Sequence, residues 1–301
     1  MTHDGQTPPP ARPRWQAKLA DRYDGWAVVT GASDGIGRQM AGLLAAAGLH
    51  VVLVARREAA LEVLAAELHA AHGVSTLVVA VDLATPGGVD TVLSATEHLD
   101  VALLVAAAGY GTAGAFLGQD LAMELDMVSV NVRAVTAITH AFGRRFVARG
   151  RGGIVLFGSL VGFQGVPGSA TYSATKAFVQ TFGEALQREL APHGVDVLVA
   201  APGPVHTGFA ARATMSMSSA ANADDVARAT LRALGGRGAT VRPGGRAKLL
   251  GYGLGSLPRG LRVRVLQTIM ASMTPGSPSV TLDPRSPAPD PGSPAHPAAH
   301  G

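Results

Sequence analysis

The stretch Ala27-Val28-Val29-Thr30-Gly31-Ala32-Ser33-Asp34-Gly35-Ile36-Gly37-Arg38-Gln39-Met40 decides how this chain folds. A β-branched run, Ala27–Thr30, ends in a glycine-rich turn that opens onto Ala/Leu residues of helical period, with the helix predicted over Ile36–Ala47. Between a strand and a helix each glycine has a steric task. Gly31 permits the tight exit, Gly35 lets a pyrophosphate approach the backbone, and Gly37 lets helix and strand pack closely. The helix N-terminus adds N–H donors and positive potential, so Thr30, Gly31, Ser33, Asp34, Gly35, Ile36 and Gly37 are candidate contacts to a dinucleotide.

Outward from that turn, short β-branched runs keep alternating with longer Ala/Leu segments of helical period. Strands are expected at Ala27–Thr30, His50–Ala55, Ser75–Val81, Val101–Ala106, Gly153–Gly158, Val195–Ala200 and Thr240–Arg242. Helices are expected at Ile36–Ala47, Glu58–Ala71, Pro86–Thr96, Met123–Arg149, Tyr172–Leu190 and Asp224–Leu234. This is the signature of an α/β fold, a Rossmann-type doubly wound parallel sheet of about seven strands with helices on both faces. The 301 residues, 47% hydrophobic and 15% charged, are ample for one such domain, and two full domains would be a squeeze. We place it at residues 21–245, after a disordered N-terminal segment, 1–20, that holds Pro8, Pro9, Pro10 and Pro13. A basic amphipathic helical extension follows at 246–273, then a disordered Pro/Ser/Ala-rich tail at 274–301.

The composition excludes several classes of function. Without cysteine there are no disulfides or thiolate metal sites, and no His/Asp/Glu cluster has metal-ligand spacing, so no metal is expected. A formal net charge of +4 is too small to imply nucleic acid. No apolar run approaches the roughly 18 to 20 residues that cross a bilayer, and the start lacks the apolar stretch of a signal peptide, so a cytoplasmic protein is expected.

The second strand ends Leu53-Val54-Ala55-Arg56-Arg57, with Ala55 where an NAD-preferring site places an acidic residue on the ribose. Arg56 can fork onto a 2′-phosphate, with Arg57 as a second cation, so NADP (NADPH) is the expected cofactor. Arginines at a helix N-terminus run against its dipole, which argues against mere solvation. Asp82, with Leu83 beside it, is read either as an adenine contact or as a cap of the following helix.

The chemistry centres on Gly158-Ser159, a loop, and Tyr172-Ser173-Ala174-Thr175-Lys176. Tyr172 and Lys176 are four apart, so a helix puts them on one face. Reduction of a carbonyl needs a proton on the oxygen as hydride reaches the carbon, and an ammonium beside a phenol is expected to lower the phenol's pKa from about 10 toward ~7 to 8. Ser159 can polarise the substrate oxygen, and Asn131 can hold a water that relays a proton to Lys176.

This combination resembles the short-chain dehydrogenase/reductase family over about residues 25 to 245. The residues that carry it are TGxxxGxG at Thr30 to Gly37, Asn131, the Ser159/Tyr172/Lys176 set and the post-strand Pro202-Gly203. The tone is most similar to bacterial 3-oxoacyl and 17β-hydroxysteroid reductases. The resemblance implies catalytic roles for Asn131, Ser159, Tyr172 and Lys176, with Lys176 also on the nicotinamide ribose. It further implies cofactor contacts from Tyr172, Ala108, Gly109, Pro202, Gly203, Val205 and Thr207, and a homo-oligomer, dimer or tetramer, through the helices at Met123–Arg149 and Tyr172–Leu190. One departure is the family's Asn-Asn-Ala-Gly, which here reads Ala106-Ala107-Ala108-Gly109. Altered stability or cofactor affinity is expected from it.

Three loops, 110–118, 160–170 and 204–221, should frame the substrate, and Phe116, Phe163, Phe209 and Met215 are its candidate contacts. They point to a small apolar carbonyl or alcohol. In the extension, Leu261, Val265, Leu266, Ile269, Met270 and Met273 recur at helical spacing beside Arg259, Arg262 and Arg264. Such a helix suits an anionic membrane surface, a partner subunit or the domain's own cleft, and the membrane is the less favoured reading. Rival functions are an NADPH-sensing protein without turnover and a membrane-surface scaffold; intact Tyr172 and Lys176 argue against the first.

Overall fold

Period-two alternation sends successive strand residues to opposite faces of one sheet, and each face has its own core. In a computed structural model of the chain, which describes residues 12–206, 220–245, 253 and 257–273, Ala27, Val29, Val51 and Leu53 pack into one core while Val28, Val52 and Val54 pack into the other. The strands are β1 (Trp26–Thr30), β2 (His50–Ala55), β3 (Thr76–Ala80), β4 (Val101–Ala106), β5 (Gly152–Phe157), β6 (Val195–Ala200) and β7 (Thr240–Val241). They lie in the order β3-β2-β1-β4-β5-β6-β7, with every pairing parallel. Each strand bound falls within one residue of its expected place.

Helices α2 (Gly35–Ala47), α3 (Glu58–His72) and α8 (Ala223–Ala233) cover the first face, and α4 (Gly88–Ala95), α6 (Val135–Arg149) and α7 (Ala170–Leu190) the second. The inward stripe of α2, with Gly37, Met40, Ala41 and Leu44, has the spacing that a helix needs to bury one side.

Two expectations are corrected here. Residues 14–20 are not disordered: α1 (Arg14–Arg22) buries Leu19 and brings the adjoining Tyr23 into the first core. The Tyr23 hydroxyl donates to Asp196 Oδ2 at 2.6 Å, and Arg22 pairs with the same carboxylate. Pro13 caps the start of α1, where its missing N–H leaves no helical bond unmade, so the proline run there marks a helix start. The single helix expected over Met123–Arg149 is instead α5 (Leu121–Val128), a π-helical turn at Ser129–Ala134, and α6.

Beyond β7 the described chain ends in α9 (Arg259–Met273). Its apolar residues are less segregated than an amphipathic helix requires, since Leu261 is 46% exposed while Leu266 is 5% exposed. The tail 274–301 and the N-terminal 1–11 lie outside the described residues. Among the described residues no helix is long and apolar enough to cross a membrane.

Candidate active site

In a parallel sheet, neighbouring strands whose connections leave in opposite directions open a crevice at their C-terminal ends. Here β1 and β4 are those neighbours, and a cavity of about 560 Å³ opens there. It is lined by the segments that follow β1, β2, β3, β4, β5 and β6, and by one face of α7.

At one end the lining is mostly backbone. Gly31 has φ +69°, and a Cβ on it would stand 2.9 Å from Ala107 O and the Ala108 backbone. A Cβ on Gly37 would run into Gly31 O, so α2 can dock on β1 only without one. Asp34 caps α2 by accepting the Gly35 N–H at 2.7 Å. Gly31, Ser33, Asp34, Gly35, Ile36 and Gly37 all line the cavity. Bare backbone at a helix N-terminus fits the phosphates of a dinucleotide. Thr30 does not line it: as the last strand residue it faces β4, and its hydroxyl accepts the Ala108 N–H at 3.0 Å. That bond braces the loop in which alanines replace the family's asparagines.

The far side of this end holds the two cations. Arg56 Nη1 lies 3.6 Å from Asp82 Oδ2, and Arg57 Nη2 lies 3.2 Å from Ser33 O, with Asp34 at 4.0 Å. Asp82 also accepts the Ala84 N–H at 2.9 Å in the turn after β3; it does not cap α4, whose first residue is Gly88, and it lines the cavity beside Arg56. Leu83, Ala108, Gly109, Pro202, Gly203 and Val205 line the cavity. Thr207, Phe209 and Met215 lie outside the described residues.

At the other end side chains take over. One turn of α7 separates Tyr172 from Lys176, and Lys176 Nζ stands 5.7 Å from the centre of the Tyr172 ring. Nζ donates to Phe157 O at 2.8 Å, which fixes it in the cavity wall. The Ser159 hydroxyl hydrogen-bonds Tyr172 in the sense that favours phenolate. Burial nonetheless dominates and pushes the Tyr172 phenol up to about 12. Burial likewise lowers the Lys176 ammonium to about 8. The expected lowering of the phenol by the ammonium is therefore corrected: both groups lose hydration, and that loss disfavours the charged form of each.

Asn131 sits in the π-helical turn and is 1% exposed. Its Oδ1 accepts the Tyr110 N–H at 3.2 Å, and its Nδ2 donates to Tyr110 O at 2.8 Å and Thr175 Oγ1 at 3.1 Å. These bonds run to the loop after β4 and to α7, so Asn131 positions the walls of the cavity without lining it.

Two of the aromatic substrate contacts are corrected. Phe163 lies outside the cavity lining, with the Arg242 guanidinium 4.6 Å above its ring, and Phe116 is 51% exposed on a short turn away from it. Tyr110 and Val161 line the cavity from two of the loops expected to frame the substrate, although neither is among the four candidate contacts. Leu266 and Ile269 line it too, so of the three surfaces their helical spacing suits, it is the domain's own cleft that they meet.

Comparison with known proteins agrees with this geometry. The chain matches the family described as short chain dehydrogenase over residues 25–217. It is 37% identical over 183 residues to a 7beta-hydroxysteroid dehydrogenase of Collinsella aerofaciens, covering 60% of this chain and 69% of that one. It is 41% identical over 184 residues to a very-long-chain 3-oxoacyl-CoA reductase of Laccaria bicolor, covering 60% of this chain but only 54% of that relative's length. A solved short-chain dehydrogenase from Sphingobium yanoikuyae in complex with NADPH superposes with a TM-score of 0.72 at 31% identity, over 78% of this chain and 94% of that one. The chain belongs to the short chain dehydrogenase family and is a nucleotide-binding oxidoreductase of CH–OH/C=O groups.

Proposed function

We propose that the chain is an NADPH-dependent reductase of an apolar carbonyl compound, a ketone, aldehyde or 3-oxoacyl group, which it converts to the alcohol. The observation that carries this reading is the hydrogen-bonded Ser159–Tyr172 pair beside Lys176 in the same cleft as the glycine cradle. The bound nicotinamide would supply or accept the hydride. Ser159 and Tyr172 offer two hydroxyl donors to one carbonyl oxygen, which polarises it as negative charge grows there. With its pKa raised, the phenol keeps its proton across neutral pH and yields it only to an oxygen made strongly basic beside it. That favours the acid role and hence reduction. Lys176 holds a positive charge below about pH 8 one helical turn away, where it stabilises the phenolate left behind.

Support for NADPH comes from Ala55 in place of an acid, from Arg56 and Arg57 at the cavity edge, and from the NADPH complex of the Sphingobium protein. Support for an apolar substrate comes from the lining at the catalytic end, with Leu160, Val161, Leu266 and Ile269. The names of the two relatives, a hydroxysteroid and a very-long-chain acyl group, both describe large hydrocarbon bodies. A homo-oligomer is supported by apolar side chains left in solvent on the two helices expected to pair: Leu121, Leu125 and Val128 on α5 and Phe178 on α7 are 37% to 67% exposed with Leu117. Replacing Leu121 and Leu125 with glutamate should yield monomers in sedimentation.

The test is an absorbance screen at the nicotinamide band with hydrophobic ketones, aldehydes and 3-oxoacyl thioesters, each with NADPH and NADH. Oxidation of NADPH by at least one carbonyl, absent in Tyr172→Phe, is expected. Oxidation that continues unchanged in that variant overturns the reading.

A further inference from the structure

We propose that α9 is a substrate-recognition element: Leu266 and Ile269, set against Val161 and Val166, form an apolar wall that selects carbonyl compounds by the size of their hydrocarbon body. This rests on the reading of the cleft as a carbonyl-reducing site.

Burial along α9 is selective. Leu266 is 5% exposed and packs with Val161, Val166, Leu257, Val265 and Ile269, while Arg259 and Arg264 are exposed. Leu266 and Ile269 are three apart, share a face, and both line the cavity.

The wall stands at the catalytic end. Val161 belongs to the short 3₁₀ turn Leu160–Phe163, which Ser159 caps, and its N–H lies 3.4 Å from Ser159 Oγ. The same turn rests on α7 at the lysine: a Cβ on Gly162 would lie 2.7 Å from Lys176 O. The surface that α9 covers is thus fixed relative to both Ser159 and Lys176. A carbonyl held by Ser159 and Tyr172 would project its body toward this wall. Branched aliphatic side chains offer no hydrogen bond there, so alkyl and alicyclic carbon is the matching chemistry.

The family match ends at residue 217 and α9 begins at Arg259, so that match by itself gives α9 no role.

The test uses the full chain and two probes, cyclohexanone as the small ketone and 2-decalone as the bulky one. For each, kcat/KM with NADPH and binding to the NADP⁺-loaded protein by calorimetry are measured. Leu266→Ala with Ile269→Ala should raise the ratio of 2-decalone to cyclohexanone about tenfold in both readouts, and Leu266→Phe should lower it by a similar factor. Leu266→Met, close in volume, should leave it near wild type. NADPH affinity, followed by fluorescence, should be unchanged in all of them. If wild type turns the ketones over and the ratio does not move, the wall is overturned and the reductase reading stands. If nothing turns over but the binding ratio moves as stated, the wall stands and the reductase reading falls. Loss of NADPH affinity together with ketone binding would make α9 a structural prop and overturn the proposal.

Discussion

The two ends of the cleft are built from different material. The nucleotide end centres on one contiguous turn, Gly31 to Gly37, whose usefulness lies in having no side chains where the chain crosses itself, with Arg56 and Arg57 at its edge. The catalytic end is assembled from side chains of β5's exit, α7 and α9, which are remote in the chain and meet only in the fold. One end is set by what the backbone cannot tolerate and the other by what side chains reach. Damage to the two should therefore separate into binding and turnover.

The sharpest separation comes from Tyr172→Phe. Turnover should fall about 10²- to 10⁴-fold as the proton donor is lost, while NADPH affinity stays close to wild type. Single-turnover kinetics beside fluorescence titration would reveal a collapse of both, which would merge the two ends into one.

Gly37→Val attacks the other end. A side chain there meets Gly31 O, so α2 must move off β1. A loss of about 1 to 3 kcal/mol in urea unfolding is expected, with dinucleotide affinity weakened for NADPH and NADH alike. Full stability in the variant would show that the crossing is looser than described.

Arg56→Ala is narrower still. Losing one charge-assisted contact should weaken NADPH by about tenfold and leave NADH unchanged. Equal effects on the two cofactors would remove Arg56 from the 2′-phosphate and leave Arg57 as the candidate.

The mildest probe is pH. Lys176 gives up its proton near 8 in the fold, so reductive kcat/KM should be level below that value and decline above it, while Tyr172 remains protonated throughout. The same group has an ordinary value of 10.5, so between about 8 and 10.5 the unfolded chain binds more protons and Lys176's contribution makes the ligand-free fold more stable as pH rises. A rate that climbs through pH 8 would mean that a neutral Lys176 is the working form.

Legibility in the sequence follows the same division. Strand bounds and the glycine turn could be read because period-two alternation and steric exclusion act between near neighbours. Ser159, Tyr172 and Lys176 were legible because their spacing is fixed by one strand exit and one helix turn. Phe116 and Phe163 were misjudged because apolar character says that a side chain seeks cover, not which cover it finds: Phe163 found Arg242. α1 was hidden by prolines that mark its start, and the depressed phenol failed because spacing places an ammonium near a phenol without revealing how dry the pair is. Leu266 was seen as periodic, but its partners Val161 and Val166 belong to a loop whose path no local pattern specifies.

The π-helical turn at Ser129–Ala134 acts as a register device between α5 and α6. One extra residue sits in that turn relative to an α-helix. Deleting a single residue from it would let one uninterrupted helix form with both flanks keeping their facing, while the residues inside the turn, Asn131 among them, are re-aimed by up to about 100°. The carboxamide of Asn131 would then part from Tyr110 or from Thr175, and the loop after β4 would lose its tie to α7 although no group that touches substrate had changed.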